Sequence, residues 1–245
     1  MRLPAVWSVL SLVLPLAVAP AGALAQVEMV PTESPVPETP RSLMSGKGVA
    51  VAGFILAASL MADQGLRGQI QEYRGTTSNA VARVGNGFGE PRYVLPVLAA
   101  GFLAGKVTGN RSVARVALRA GGAVAIAGGL TTAIKYAIGR NRPRGDSDAD
   151  QFRPLSGWNS FPSGHTAVAF AVATAIAEET RDPWSDAALY GAATLTALAR
   201  LNDDRHWTSD VFVGALVGHL SARWLSRRQG GLSIQPTGVT MSFEF

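Results

Sequence analysis

The chain has 245 residues, of which 47% are hydrophobic and only 16% charged, with a formal net charge of +5 and no cysteine. Such a chain is long enough for one domain with a real core, and it is more apolar than an ordinary soluble protein. The lack of cysteine excludes disulfides and thiolate metal sites, and the dispersed positive charge, without a basic run, argues against nucleic acid as a partner.

Residues 1–25 carry the pattern of a secretory signal peptide. Arg2 supplies a short positive start, residues 5–18 an apolar run, and Ala23-Leu24-Ala25 a small-residue cleavage signature. Export from the cytoplasm is expected, with an uncleaved anchor as the alternative. Residues 26–45 are rich in Pro, Glu, Ser and Thr and read as a disordered linker.

Six apolar segments follow, at 48–62, 93–105, 113–139, 164–178, 187–199 and 211–225. None alternates with period two for long, and all are rich in Ala, Gly, Leu and Val, so each predicts a helix. Gly121, Gly122, Gly128 and Gly129, and the pair Gly214-x-x-x-Gly218, would let helix backbones approach closely. The expected architecture is all-α, a six-helix bundle over a domain spanning 46–228. Most segments run 13–15 residues, short of the roughly 20 that cross a bilayer. The tail, 229–245, alternates apolar and polar residues around a Pro-Thr-Gly turn and reads as a short β-like hairpin.

Polar residues gather where these helices end. Lys135, Arg142 and Arg144 close the third; Pro162, Ser163, Gly164 and His165 open the fourth. Arg200 closes the fifth, and His206 and Asp210 begin the sixth. In an up-down bundle the end of one helix and the start of the next lie on the same side, so the three clusters converge. Taken singly each has a plain reading: cations at helix C-termini, a capping serine, an aspartate paired with an arginine. Together, Lys135, Arg142 and Arg200 are too many cations to meet at one point without an anion between them. Arginine suits bidentate contact with phosphate oxygens, and the helix start at Ser163 and Gly164 suits the same ligand. His206 and Asp210, four apart, have the spacing of a carboxylate orienting a histidine.

The set resembles the type 2 phosphatidic acid phosphatase (PAP2) superfamily, which includes bacterial acid phosphatases and vanadium haloperoxidases. Its motifs stand here as Lys135-x6-Arg142-Pro143, Pro162-Ser163-Gly164-His165 and Arg200-x5-His206-x3-Asp210, over roughly residues 90–225. One departure is Ala199, where the family usually has serine. The resemblance implies a PAP2/haloperoxidase-type helical bundle and a phosphatase that works without a metal or other cofactor, through a phosphohistidine on His206. His165 would act as acid and base, Asp210 would orient His206, and Lys135, Arg142, Ser163, Gly164 and Arg200 would hold phosphate. The expected substrate is a phosphomonoester or pyrophosphate of a membrane lipid, phosphatidate or a polyprenyl diphosphate, cleaved by a membrane-associated enzyme facing the periplasm. A soluble periplasmic acid phosphatase acting on small phosphoesters is the alternative; a vanadate-dependent haloperoxidase and a non-enzymatic envelope protein stand further off. His219, nine residues past Asp210 in an apolar segment, is expected to be structural.

Overall fold

Small side chains decide how closely the helices of this protein meet. The computed structural model describes residues 43–144, 147–227, 232–235 and 238–241. The expected leader and nearly all of the linker lie outside the described residues. Among those described there are seven helices: α1 (Gly46–Glu72), α2 (Thr76–Gly89), α3 (Pro91–Val107), α4 (Arg111–Ile138), α5 (Gly164–Thr180), α6 (Pro183–Asn202) and α7 (Thr208–Arg227). The all-α class is as expected. Two short antiparallel strands, β1 (Leu232–Gln235) and β2 (Gly238–Met241), pair in the tail, with Leu232 opposite Met241.

The count corrects the expected six. The additional helix, α2, reads TTSNAVARVGNGFG, where Thr, Ser, Asn and Gly depress both apolar density and intrinsic helix propensity. Packing overrides that. Gly85 lies so close to α6 that a Cβ there would meet the Leu195 carbonyl oxygen at 2.5 Å, and Thr196 donates to the Gly85 carbonyl at 2.6 Å. A larger residue at position 85 would push the two helices apart. The helices are also longer than the apolar segments suggested: α1 has 27 residues and α4 has 28. Both are long and apolar enough to cross a membrane.

The central core is alanine and valine rather than leucine and phenylalanine. Ala120, Ala123, Val124 and Ala127 of α4 meet Ala167, Val168, Ala171 and Ala175 of α5, with Ala222 of α7 closing the cluster. Gly214 and Gly218, one turn apart on α7, supply the closest approach; a Cβ on Gly214 would lie 2.5 Å from the Ser163 carbonyl oxygen. This pins the start of α7 to the start of α5. Local signals fix the helix ends: Asn110 caps α4 through Val113, and Asp182 caps α6 with Pro183 in its first turn. α4 stops at Gly139, whose φ of 59° is the left-handed cap that glycine adopts freely. The result sets the ends of α4 and α6 and the starts of α5 and α7 at one end of the bundle.

Candidate active site

The segment after α4 is folded back on itself. Arg140 bridges to Phe152, Asn141 donates its amide to Gln151, and Ser160 donates its amide to the Arg140 carbonyl. This hairpin-like return delivers Pro162 and Ser163 to the mouth of the bundle. Lys135, in the last turn of α4, reaches across and donates to the carbonyls of Asn159 (2.7 Å), Ser160 (3.2 Å) and Pro162 (2.5 Å). Arg142 donates to Asn159 Oδ1 at 3.0 Å, and Arg200 to Asn86 Oδ1 at 2.8 Å. Arg200 is buried, and its Nε has no hydrogen-bond partner. The three cations are thus met by neutral oxygens, and none forms an ion pair with a carboxylate among the described residues.

The start of α5 departs from expectation in one respect. Ser163 occupies the N-cap position but its side chain does not cap the helix; its hydroxyl accepts from Thr166 at 2.9 Å instead. The first helix amide with a backbone acceptor is that of Ala167, bonded to the Ser163 carbonyl. The amides of Gly164, His165 and Thr166 are therefore the free first-turn donors of a helix end, and the positive end of the dipole is left for a ligand.

His206 and Asp210 come together, but not within one helix. α7 begins at Thr208, so His206 sits on the loop before it, which corrects the expectation that both lie on the helix's first turn. Asp210 is fully buried and heavily solvated by protein. Its Oδ1 accepts from Arg140 at 2.8 Å; its Oδ2 accepts from Ser160 Oγ at 2.5 Å and from the Trp207 amide at 2.9 Å. His206 Nδ1 approaches that same Oδ2 at 3.4 Å yet is left without a hydrogen bond, so the contact is electrostatic rather than a closed bond. Burial pushes the imidazole down to a pKa of about 4 against the pull of Asp210, and the charges of Lys135 and Arg200 add to the push.

Two partners at this end carry no signal in the three motifs. The first is Arg140, buried between Asp210 and a second buried carboxylate, Asp63 of α1 (2.7 Å). The second is Glu90, at the junction of α2 and α3, whose Oε2 lies 3.3 Å from His165 Nε2. Burial works to raise the Glu90 pKa, but the hydrogen bond and charge of His165, helped by Arg92, outweigh it and leave the carboxyl below its ordinary range. An ionised carboxylate only accepts, so His165 Nε2 carries the proton and Nδ1 is the nitrogen left for exchange.

The remaining candidates fall outside this cluster. His219 sits deeper in the bundle, its Nδ1 within 3.0 Å of Thr174 Oγ1 and 3.4 Å of the Tyr190 hydroxyl. Trp207, next to His206, is packed: it is 1% exposed, and its indole donates to the Asn141 carbonyl. Ala199, at the position where serine was expected, is buried against α2.

Comparison with known proteins finds relatives of one kind. The family model described as the PAP2 superfamily matches residues 116–232. A lipid A 1-phosphatase from Porphyromonas gingivalis is 43% identical over 108 residues, which make up 42% of this chain and 22% of that protein. The chain therefore spans about a fifth of that relative's length. Two crystal structures share the fold. One is Aquifex aeolicus LpxE (TM-score 0.54, 24% identity, 67% of this chain and 94% of that one). The other is the first transmembrane PAP2-type phosphatidylglycerolphosphate phosphatase from Bacillus subtilis (TM-score 0.53, 16% identity, 74% of this chain and 95% of that one).

Proposed function

From the match of residues 116–232 to the PAP2 superfamily model, we propose that the chain is a PAP2-type, membrane-embedded phosphatase that removes phosphate from a phosphorylated lipid. The observation that carries this reading is the trio Lys135, Arg142 and Arg200, answered only by neutral oxygens beside a helix start with three free amides. A phosphate would supply the missing negative charge, with arginine forks and amides directed at its oxygens.

His206 is the nucleophile in this proposal. Its nitrogen distal to Asp210 attacks phosphorus and the bond to the leaving oxygen breaks, while His165 delivers a proton to that oxygen. Water then attacks the phosphohistidine, His165 takes its proton, and the phosphorus–nitrogen bond breaks to release phosphate. Lys135, Arg142, Arg200 and the amides of Gly164 and His165 stabilise the oxygens as charge gathers there. Asp210 and Glu90 hold the two rings.

A lipid substrate is favoured by what surrounds the site. A cavity of about 530 Å³ lies between α1, α2 and α6, lined by Ile70, Val81, Ala82, Leu195 and Leu198, and none of the proposed phosphate ligands lines it. An acyl chain fits such a lining. The outer faces are apolar too: Phe54 is 77% exposed, Met61 89% and Val97 66%. Its 27 residues make α1 about 40 Å long, more than a bilayer core. On α2, Val81, Val84 and Phe88 present an exposed apolar stripe, suited to lying along the membrane surface. Lys106, Arg111, Arg115 and Arg119 lie at the bundle end away from the site. By the positive-inside rule that end, where α1 begins, faces the cytoplasm and the site faces the opposite, periplasmic side. This is the topology of the uncleaved-anchor reading of residues 1–25 rather than of a cleaved leader.

The test is phosphate release by the detergent-purified protein, in EDTA, from lipid A 1-phosphate, phosphatidate, phosphatidylglycerol phosphate, polyprenyl diphosphate and nitrophenyl phosphate. The first is included because a relative bears its name. At least one lipid should exceed the aryl ester in kcat/KM, and orthovanadate should inhibit. Faster hydrolysis of nitrophenyl phosphate than of every lipid would favour the small-ester phosphatase instead; no hydrolysis of any would overturn the proposal.

A pH prediction follows from His206. The nucleophile must be neutral, and its folded pKa is lowered to about 4. The active form is thus present above that value and lost below it. Once the substrate's own second ionisation near pH 6 is divided out, the acid limb of kcat/KM should fall near pH 4 rather than at the ordinary histidine value of about 6.5. A limb at 6.5 would show His206 to be solvated in the free enzyme.

A further inference from the structure

Helix α1 faces outward along most of its length, and the one residue it buries is a carboxylate, Asp63. A buried aspartate in such a helix is costly unless it is well held. It is held by three hydrogen bonds. Oδ1 accepts from the Ser209 amide at 2.9 Å, and Oδ2 accepts from Ser209 Oγ at 2.5 Å and Arg140 Nη2 at 2.7 Å. One turn on, Arg67 grips Asp204 with both Nε and Nη2, each at 2.9 Å, and its guanidinium lies 5.6 Å from the Trp207 ring centre. One further turn on, Gln71 donates to the carbonyls of Leu201 (3.0 Å) and Asn202 (3.3 Å).

Positions 63, 67 and 71 form a single stripe at intervals of four, and apart from Arg140 their partners run from 201 to 209. That stretch is the loop carrying His206 together with the helix ends that flank it. It needs holding, because Asp204 has a φ of 54°, a left-handed conformation that non-glycine residues seldom adopt. The grip also reaches the histidine's own partner. Arg140 joins Asp63 to Asp210 through its two terminal nitrogens, so the orientation of Asp210 depends on a charge supplied by α1. α1 lies wholly outside the residues matched by the family model, 116–232.

We propose that α1 is a clamp on the His206 loop, and that Asp63 is a positioning residue for the nucleophile, acting through Arg140 and Ser209 on Asp210. The clamp rests on the reading of His206 as nucleophile. It takes no part in holding phosphate, since Lys135, Arg142 and Arg200 are anchored on other elements. Losing it therefore slows chemistry and leaves phosphate affinity alone, which is the signature of a group displaced from its attack geometry.

The experiment uses the full chain in detergent, with Asp63→Asn and, at the half-buried margin where folding is safer, Arg67→Gln. Calorimetric titration with inorganic phosphate counts the intact sites, and kcat for nitrophenyl phosphate is expressed per site. Asp63→Asn should lose about 10²-fold in kcat per site, the scale of a misplacement of about 1 Å, and Arg67→Gln about 10-fold. Phosphate Kd should stay within about twofold in both. Should Asp63→Asn fail to fold, Arg67→Gln decides alone. Parent-like turnover per site, or phosphate affinity falling in step with rate, would overturn the clamp and leave the phosphatase reading standing. A parent that binds phosphate yet hydrolyses nothing would overturn both.

Discussion

Replacing His206 by alanine is expected to abolish turnover, by at least about 10⁴-fold, on every substrate the protein accepts. The other side chains at the site are already engaged in other roles. His165 is committed through Nε2 to Glu90, Ser163 Oγ is engaged with Thr166, and Asp210 is enclosed by Arg140, Ser160 and the Trp207 amide. The variant should still bind inorganic phosphate, because the cations and the α5 amides do not depend on the imidazole. Rapid quench with labelled substrate should trap no acid-labile phosphoenzyme, whereas the parent gives one. A labelled protein in the His206→Ala variant would place the covalent step elsewhere, and retained turnover without label would point to direct attack by water.

How much of this was legible in the sequence differs from residue to residue, for physical reasons. The motif residues could be placed because each stands at a helix end, and helix ends are marked locally: Gly139 stops α4, and Pro162-Ser163-Gly164 opens α5. A pair four apart, His206 and Asp210, needed only short-range geometry. The Gly214-x-x-x-Gly218 spacing announced the close crossing of α7 on α5 that fixes Ser163 beside Asp210. By contrast, Glu90 stands 75 residues before His165, and the only local sign of it is the helix break at Gly89-Glu90-Pro91. Such a pairing is set by tertiary packing and leaves no periodic trace.

Asp63, Arg67 and Gln71 are an intermediate case. The apolar run that defines the first predicted helix ends at Ala62, so the polar residues after it looked like a boundary, although their spacing of four is that of one helix face. Continuing the helix through them would have exposed the stripe. Arg140 was hidden differently. It stands between Lys135 and Arg142 in a basic stretch where any one arginine looks like a loop cation, and only burial against two aspartates tells it apart. Helix α2 was missed because Thr, Asn and Gly weaken both signals used to find helices, while its stability comes from contact with α6.

The substitution that separates the two histidines is His165→Ala, and its effect should depend on the leaving group. An alkyl or sugar hydroxyl, as in a phosphorylated lipid, leaves poorly without a proton, and general acid help is worth about 10²–10⁴-fold. A nitrophenolate needs little. His165→Ala should therefore cost a lipid phosphate that full factor in kcat/KM, yet largely spare formation of the phosphoenzyme from nitrophenyl phosphate. The second half-reaction would also lose its base, so label should accumulate on His206 with the aryl ester and decay slowly. Glu90→Gln should act in the same sense at about 10-fold, since a neutral amide still touches Nε2 but no longer stabilises a protonated ring. Equal losses on lipid and aryl substrates, with no trapped intermediate, would mean that His165 merely holds the start of α5 in shape. Glu90→Gln at parental rates on the lipid would remove the carboxylate from the proton path.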